Sequence, residues 1–295
     1  MKHAILGAGA VGGLMGTALG FLGEHVTLIV RPEKLSTYPT KISLERPDHT
    51  VLKTSVEAAA RASGPFDVLW IATKTYQLEP ALDLVESLPT IIVPLLNGID
   101  HIAVLRSRFG SDRVVPATIA VEAVRIAPGS FAHRSPVRLA IASAGEPILK
   151  GIVERLRGLG LVCHFVSNEQ TLLWSKLCFL APFALVTSAS GKNKSEVFAD
   201  PQWKAKLDAA ITEACLVAKA DGGDVDRAQI QVIFDTAPDT MRSSMAKDLA
   251  AGRQLELEGI AGPILHRGAQ YHIPVPTTEG LVATIQSLVA KSQTV

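Results

Sequence analysis

Ala4-Ile5-Leu6-Gly7-Ala8-Gly9-Ala10-Val11-Gly12-Gly13 opens the chain, a short apolar run that breaks into Gly-x-Gly-x-x-Gly ahead of residues able to form a helix. A strand that must turn tightly and deliver a helix N-terminus to a pyrophosphate needs this order of residues. Gly7 permits the turn, Gly9 lets backbone approach phosphate, and Gly12 lets the helix pack closely on the strand. Ala8, Ala10 and Val11 complete the loop, whose N–H groups and positive helix end would bind the anion. Working outward, His25-Val26-Thr27-Leu28-Ile29-Val30 supplies a second strand at βαβ spacing. The rival reading is a secretory signal, a charged Met1-Lys2-His3 followed by an apolar stretch to Gly23. Six glycines between Gly7 and Gly20 dilute that stretch, and the strand that follows favours the dinucleotide site.

At 295 residues the chain is comfortable for two domains. Its 47% hydrophobic and 19% charged residues, with a formal net charge of +1, make no electrostatic case for nucleic acid or a membrane. Cys163, Cys178 and Cys215 lie far apart with no CxxC, which fits reduced, buried thiols in a cytoplasmic protein. The dense apolar run Leu177–Val186 contains Pro182 and is too short to span a bilayer. No metal site is expected.

The first half alternates strand and helix. Phe66–Thr73 and Thr90–Leu96 read as strands buried on both faces, separated by a helix over Tyr76–Glu86. Val114–Val121, a hairpin through Pro128-Gly129, Val137–Ala142, a helix over Pro147–Leu159 and a strand over Leu161–Val166 complete a doubly wound α/β sheet with antiparallel additions. From Ser167 the chain reads as helices only. Ser167-Asn168-Glu169-Gln170 suits a capped helix start. Further helices are expected over 203–221, 227–236, 253–272 and 277–290. The division is therefore a Rossmann-like domain over 1–166 and an all-helical substrate and catalytic domain over 167–295, with the helix after Ser167 crossing between them.

Where an NAD site carries a carboxylate for the ribose 2′-hydroxyl, at the end of the second strand, this chain has Arg31-Pro32-Glu33-Lys34. Arg31, seconded by Lys34, points to the 2′-phosphate of NADP, despite Glu33 two residues on. The plain alternative is a solvated loop arginine.

Together these motifs resemble the ketopantoate reductase (2-dehydropantoate 2-reductase) family along nearly the whole chain. The matching pieces are Gly7–Gly12, Arg31, Thr73-Lys74, Asn97-Gly98, Trp174-Ser175-Lys176-Leu177, Ser243-Ser244-Met245, and Glu256 ahead of Ile260-Ala261-Gly262. The resemblance implies hydride transfer from NADPH to the 2-carbonyl of a 2-oxo acid, giving a 2-hydroxy acid. It implies that Lys176 hydrogen-bonds the carbonyl oxygen and supports its protonation, with Glu256, in a later helix, as carboxylate partner. Ser244 would contact substrate, Asn97 would lie near nicotinamide and substrate, and Lys74 near the cofactor. The chemistry suits those residue types independently, because hydride addition develops negative charge on oxygen, which a cation or proton donor stabilises. Against this stand a lysine snorkelling to solvent and a glutamate on a solvated helix face. Asn97 has better standing, following a buried strand at its C-terminal end, where open α/β sheets place ligands.

Four positions depart from the family, which usually carries asparagine where this chain has Leu180, Ala184, Met241 and Ala261. Leu180 and Ala184 fall four and eight residues after Lys176, on the same helix face. An apolar pocket lined by Leu180, Ala184 and Met241 would disfavour a substrate hydroxyl, since burying one unpaired costs roughly 1–3 kcal/mol. Two substrates follow: 2-dehydropantoate itself, or a more apolar 2-oxo acid. An NADP(H)-binding sensor without turnover and a 3-hydroxy acid or polyol dehydrogenase are the rival functions; Lys176 with Glu256 favours the reductase over both. The sequence permits a homodimer without requiring one.

Overall fold

The computed structural model describes residues 1–292. The chain forms two units: Met1–Leu96 with His101–Asn168, and Asn97–Asp100 with the chain from Glu169 onward.

In the first unit, β1 (Lys2–Leu6), α1 (Ala10–Phe21) and β2 (His25–Ile29) make the expected opening βαβ. A single turn, α2 (Pro32–Leu35), leads to β3 (Lys41–Glu45), β4 (Val51–Ser55) and β5 (Glu57–Ala59), strands that the sequence patterning did not single out. Then follow β6 (Val68–Ile71), α3 (Leu78–Leu82), β7 (Ile91–Pro94) and α4 (His101–Phe109). β8 (Ala117–Ala120), β9 (Ala123–Ala127), β10 (Ser130–His133), β11 (Arg138–Ala142), α5 (Glu146–Gly158) and β12 (Val162–Val166) complete the unit.

The Rossmann-like sheet is parallel throughout, in the order β5-β2-β1-β6-β7, and the expected additions form two separate sheets, β4-β3-β10-β9 and β12-β11-β8. Helix α1 packs on β1 and β2 and also on β3, β4, β9 and β10. Covered by two sheets, it has no solvent stripe to spare for polar residues, which is why Gly12 through Leu19 are all buried. Gly13 marks the closest approach: a Cβ there would stand 2.1 Å from the Phe131 ring of β10. The glycine-rich run that could pass for a signal peptide is thus an internal helix.

The helix expected over Tyr76–Glu86 stops at Leu82. Beyond it the backbone pairs elsewhere, with Ala62 N–H donating to the Leu84 carbonyl and Ala62 bridging Val85.

The second unit is helical: α6 (Glu169–Ser190), α7 (Lys194–Ala199), α8 (Pro201–Ala220), α9 (Arg227–Thr236), α10 (Ser244–Ala250), α11 (Leu257–Gln270) and α12 (Pro276–Ser292). Helix α6 begins where the Ser167–Gln170 signal places it, but it belongs wholly to this unit instead of crossing from the first. It packs against α8, α10, α11 and α12, and its apolar residues face in all directions because its neighbours do. At 22 residues, with a mean hydropathy of 1.6 over its most apolar 18, it is long and apolar enough to cross a membrane, unlike the shorter run noted in the sequence; 72% of that stretch is buried inside the protein, as in a core helix. All three cysteines are free; Cys163 and Cys178 are buried as expected, whereas Cys215 is only part-buried.

Candidate active site

The strand register gathers the nucleotide-binding candidates on one edge. Leu6 is level with Ile29 and with Ile71, so Gly7, Arg31 and Thr73 all follow the C-terminal ends of neighbouring parallel strands. Gly7 has φ +104°, and a Cβ there would lie 2.9 Å from the Ala72 backbone. A Cβ at Gly12 would lie 1.9 Å from the Gly7 carbonyl oxygen, so loop and helix close on each other only without side chains. Gly9 differs: a Cβ there would meet no atom within 4 Å, and the head of α1 has no side-chain cap. Open approach over Gly9 and uncapped N–H groups at a helix N-terminus fit a pyrophosphate. The Thr73 hydroxyl is buried without a hydrogen-bond partner, a polar atom waiting on the same edge. Lys74, half-buried, starts the 3-10 turn Thr75–Gln77 that follows. Arg31 is 73% exposed at the head of α2, with Glu33 at 3.6 Å its ion-pair partner.

In the helical unit, three residues distant in sequence meet. The Lys176 ammonium donates to Asn97 Oδ1 at 2.9 Å, and Asn97 Nδ2 donates to Glu256 Oε2 at 3.3 Å. A side-chain amide can accept from the lysine with its oxygen and donate to the carboxylate with its nitrogen at once. Glu256 is 4% exposed, so the solvated-face alternative does not hold. It also stands at the N-cap of α11 rather than inside a helix: α11 starts at Leu257, four residues later than the expected helix. Burial pushes the Lys176 ammonium down to about 8, and the negative charge of Glu256 pulls it back up. Its hydrogen bond to Asn97 gives the lysine a protein partner, beyond a plain reach for bulk water.

What brings Asn97 here is Gly98. It has φ +79°, and a Cβ there would sit 1.9 Å from the carbonyl oxygen of Gly259, in the first turn of α11. Glycine at 98 lets the segment after β7 touch the helix that follows Glu256. The surface it meets is the Gly259 backbone carbonyl, for which no side-chain pattern in the sequence gives a signal.

Ser244 is exposed at the first position of α10. Its neighbour Ser243 takes the structural role, capping α10 through Ala246 N–H at 3.0 Å and sharing a 2.8 Å hydrogen bond with Thr187 of α6. Of the four departures, Ala184 and Ala261 are 0% and 1% exposed and serve as packing, so the expected apolar lining reduces to Leu180 and Met241, which keep some surface. Methyl side chains at 184 and 261 fit helices that pack on both sides.

A parallel sheet with a glycine-lined edge, in a chain that also assembles a part-buried Lys–Asn–Glu bridge, defines a dinucleotide-dependent oxidoreductase. The comparisons with known proteins make this more specific. The model described as ketopantoate reductase PanE/ApbA matches residues 3–146, and its C-terminal counterpart matches 168–289. The chain belongs to the ketopantoate reductase family, whose activity is the NADPH-dependent reduction of a 2-oxo acid. It is 29% identical to the 2-dehydropantoate 2-reductase of Caulobacter vibrioides, over 96% of this chain and 98% of that protein. A crystal structure of a PanE/ApbA family ketopantoate reductase from Ralstonia eutropha superposes with a TM-score of 0.87 at 25% identity, covering 99% of this chain and 100% of that one. D-mandelate dehydrogenase, solved with NADH and anilino(oxo)acetate, shares the fold at a TM-score of 0.86 and 21% identity, with 99% of each chain covered.

Proposed function

We propose that this chain reduces a 2-oxo acid, 2-dehydropantoate or a close relative, to the 2-hydroxy acid with NADPH as the preferred cofactor. The single observation that carries the reading is the part-buried bridge from Lys176 through Asn97 to Glu256. Residues 1–166 serve as the cofactor domain and 167–295 as the catalytic domain. Gly7, Ala8, Gly9, Ala10, Val11 and Gly12 would hold the pyrophosphate, Arg31 the 2′-phosphate, and Lys74 the cofactor's polar edge. The cofactor, when bound, supplies the hydride.

This chain's own residues then manage the charge and the proton. Lys176 spends one N–H on Asn97 and keeps others for the substrate's carbonyl oxygen. As that oxygen gains negative charge, the ammonium stabilises it and passes it a proton. Its ammonium, lowered to about 8, is still charged at neutral pH yet gives up its proton more readily than an ordinary lysine. Glu256 keeps the site's charge balanced, and Asn97 fixes the distance between the two. Ser244, with its exposed hydroxyl, is the candidate contact for the substrate's polar groups. The NADP(H)-sensor reading gains nothing from this bridge, which binding alone does not require.

A second substrate reading, a 2-oxo acid with a more apolar side chain, rests on Leu180 and Met241. It is in keeping with the anilino(oxo)acetate bound by D-mandelate dehydrogenase. A cytoplasmic location and a homodimeric assembly complete the proposal, the latter in line with a dimeric ketopantoate reductase of the same fold from Staphylococcus aureus. The test is Lys176→Ala: kcat should fall about 10²–10⁴-fold while NADPH still binds. Unchanged turnover would overturn the mechanism. A kcat/KM series over ketopantoate and branched-chain and aromatic 2-oxo acids decides the substrate, with a clear preference for ketopantoate removing the apolar reading.

A further inference from the structure

Adjoining the lysine bridge along the chain is a second polar cluster that the sequence patterning did not assemble. Asp221, at the C-cap of α8, accepts three hydrogen bonds: Trp174 Nε1 at 2.9 Å and Arg267 Nε at 3.0 Å on Oδ2, and the Tyr271 hydroxyl at 2.8 Å on Oδ1. Arg267 Nη1 reaches the other way, to Asp100 Oδ1 at 2.5 Å. One guanidinium therefore joins two carboxylates from different segments. Each end of the cluster adjoins a residue of the bridge. Trp174, fully buried, lies two residues before Lys176 on α6, and Asp100 lies three residues after Asn97.

We propose that Arg267 and Asp221 are positioning residues that hold Asn97 in register with Lys176 and Glu256. The proposal rests on the reductase reading above. Residues 97–100 are a short segment resting on α11. The contact of Gly98 with Gly259 pins the segment at one point, and a single point leaves it free to pivot. The Asp100–Arg267 ion pair supplies a second point, and two points set the direction of the Asn97 side chain. Because Arg267 also grips Asp221, and Asp221 grips Trp174, the same fork references that segment to the helix bearing Lys176. A fixed fork does this where an ammonium cannot, since lysine offers one point charge on a flexible stem. Asp100 is the looser member, 42% exposed, with His266 Nδ1 3.6 Å from its other oxygen.

The test compares wild type, Arg267→Lys and Asp100→Asn, using NADPH and whichever 2-oxo acid the wild type reduces best. Both variants should lose about tenfold or more in kcat, since an ångström of misplacement is costly in turnover. NADPH affinity, followed by fluorescence titration, should not change. The alkaline limb of kcat/KM should also move upward from about 8, because a loosened segment admits water to Lys176, the effect of Glu256 being common to all three proteins. Folded variants, checked by circular dichroism, that keep the wild-type kcat and the wild-type limb would overturn the proposal. A lowered Tm with both unchanged overturns it equally, for the cluster would then be only structural. Should Arg267→Lys fail to fold, Asp100→Asn, which alters a half-exposed carboxylate, carries the same readouts. A wild type that reduces no 2-oxo acid would bring down the reductase reading and this proposal with it.

Discussion

The glycine loop over Gly7–Gly12 and the Asn97–Lys176–Glu256 bridge both depend on a glycine where a Cβ would lie 1.9 Å from a carbonyl oxygen, but they are assembled over different distances. In the loop, Gly12 closes on Gly7, five residues away. In the bridge, Gly98 closes on Gly259, and the hydrogen bonds span 79 and 159 residues. The loop is a local object, specified by one turn and the helix that follows it. The bridge exists only once a helical unit has folded around a segment borrowed from the end of β7. Local objects announce themselves in sequence; assembled ones do not.

That contrast is open to direct attack. The largest effect is expected at Gly98→Ala, which meets a backbone oxygen and also forces alanine to a positive φ. Turnover should drop about a hundredfold as Asn97 leaves the bridge, with NADPH binding retained. Gly12→Ala should do the converse, weakening NADPH binding about ten- to hundredfold through the strain of overpacking the loop. Fluorescence titration and steady-state rates on the two variants separate them. If Gly98→Ala weakened NADPH as much as Gly12→Ala does, the two regions would not be the independent objects described.

A pH profile sharpens the same comparison. In the proposed mechanism Lys176 acts as the acid in its protonated form, and burial lowers its ammonium to about 8. The kcat/KM for reduction should therefore hold level below about 8 and fall as pH rises through it, while NADPH binding does not follow that limb. The reverse oxidation needs the neutral amine and should rise through the same value. The smallest effect is expected at Arg31→Ala, on an exposed side chain already shared with Glu33. NADPH should bind about tenfold more weakly, and NADH should be unaffected. Equal losses for both nucleotides would show that Arg31 does not read the 2′-phosphate.

Much of the first unit was legible because its signals are short-range. Glycine spacing, a buried strand's continuous apolar run and Arg31 at a strand end all lie within a few residues of what they specify. The strands β3, β4 and β5 escaped notice for the opposite reason. Their partners include the distant β10, and their outward residues, such as Glu45 and Lys53, dilute the apolar pattern. The helix beyond Leu82 was lost to pairing with Ala62, a competition that no local pattern records. In the helical unit, the longer helices followed from periodicity and turns, with Arg227–Thr236 matched end to end, whereas the short α7 and α10 carried too few turns to show a period. Glu256 was singled out by resemblance but placed inside a helix, whereas it stands just before one, at its N-cap position.

By itself the sequence determined an α/β nucleotide domain followed by helices, the glycine loop, an arginine just past the second strand, and the identities of the lysine, asparagine and glutamate. Those follow from short-range sterics and residue chemistry, which any contiguous stretch carries. Only the tertiary structure decided that Asn97 joins the helical unit, that it stands between Lys176 and Glu256, and that Ala184 and Ala261 are packing. It also revealed the cluster of Arg267 and Asp221. Such facts depend on which surfaces bury one another, and the approach of Gly98 to Gly259 is a property of two segments together.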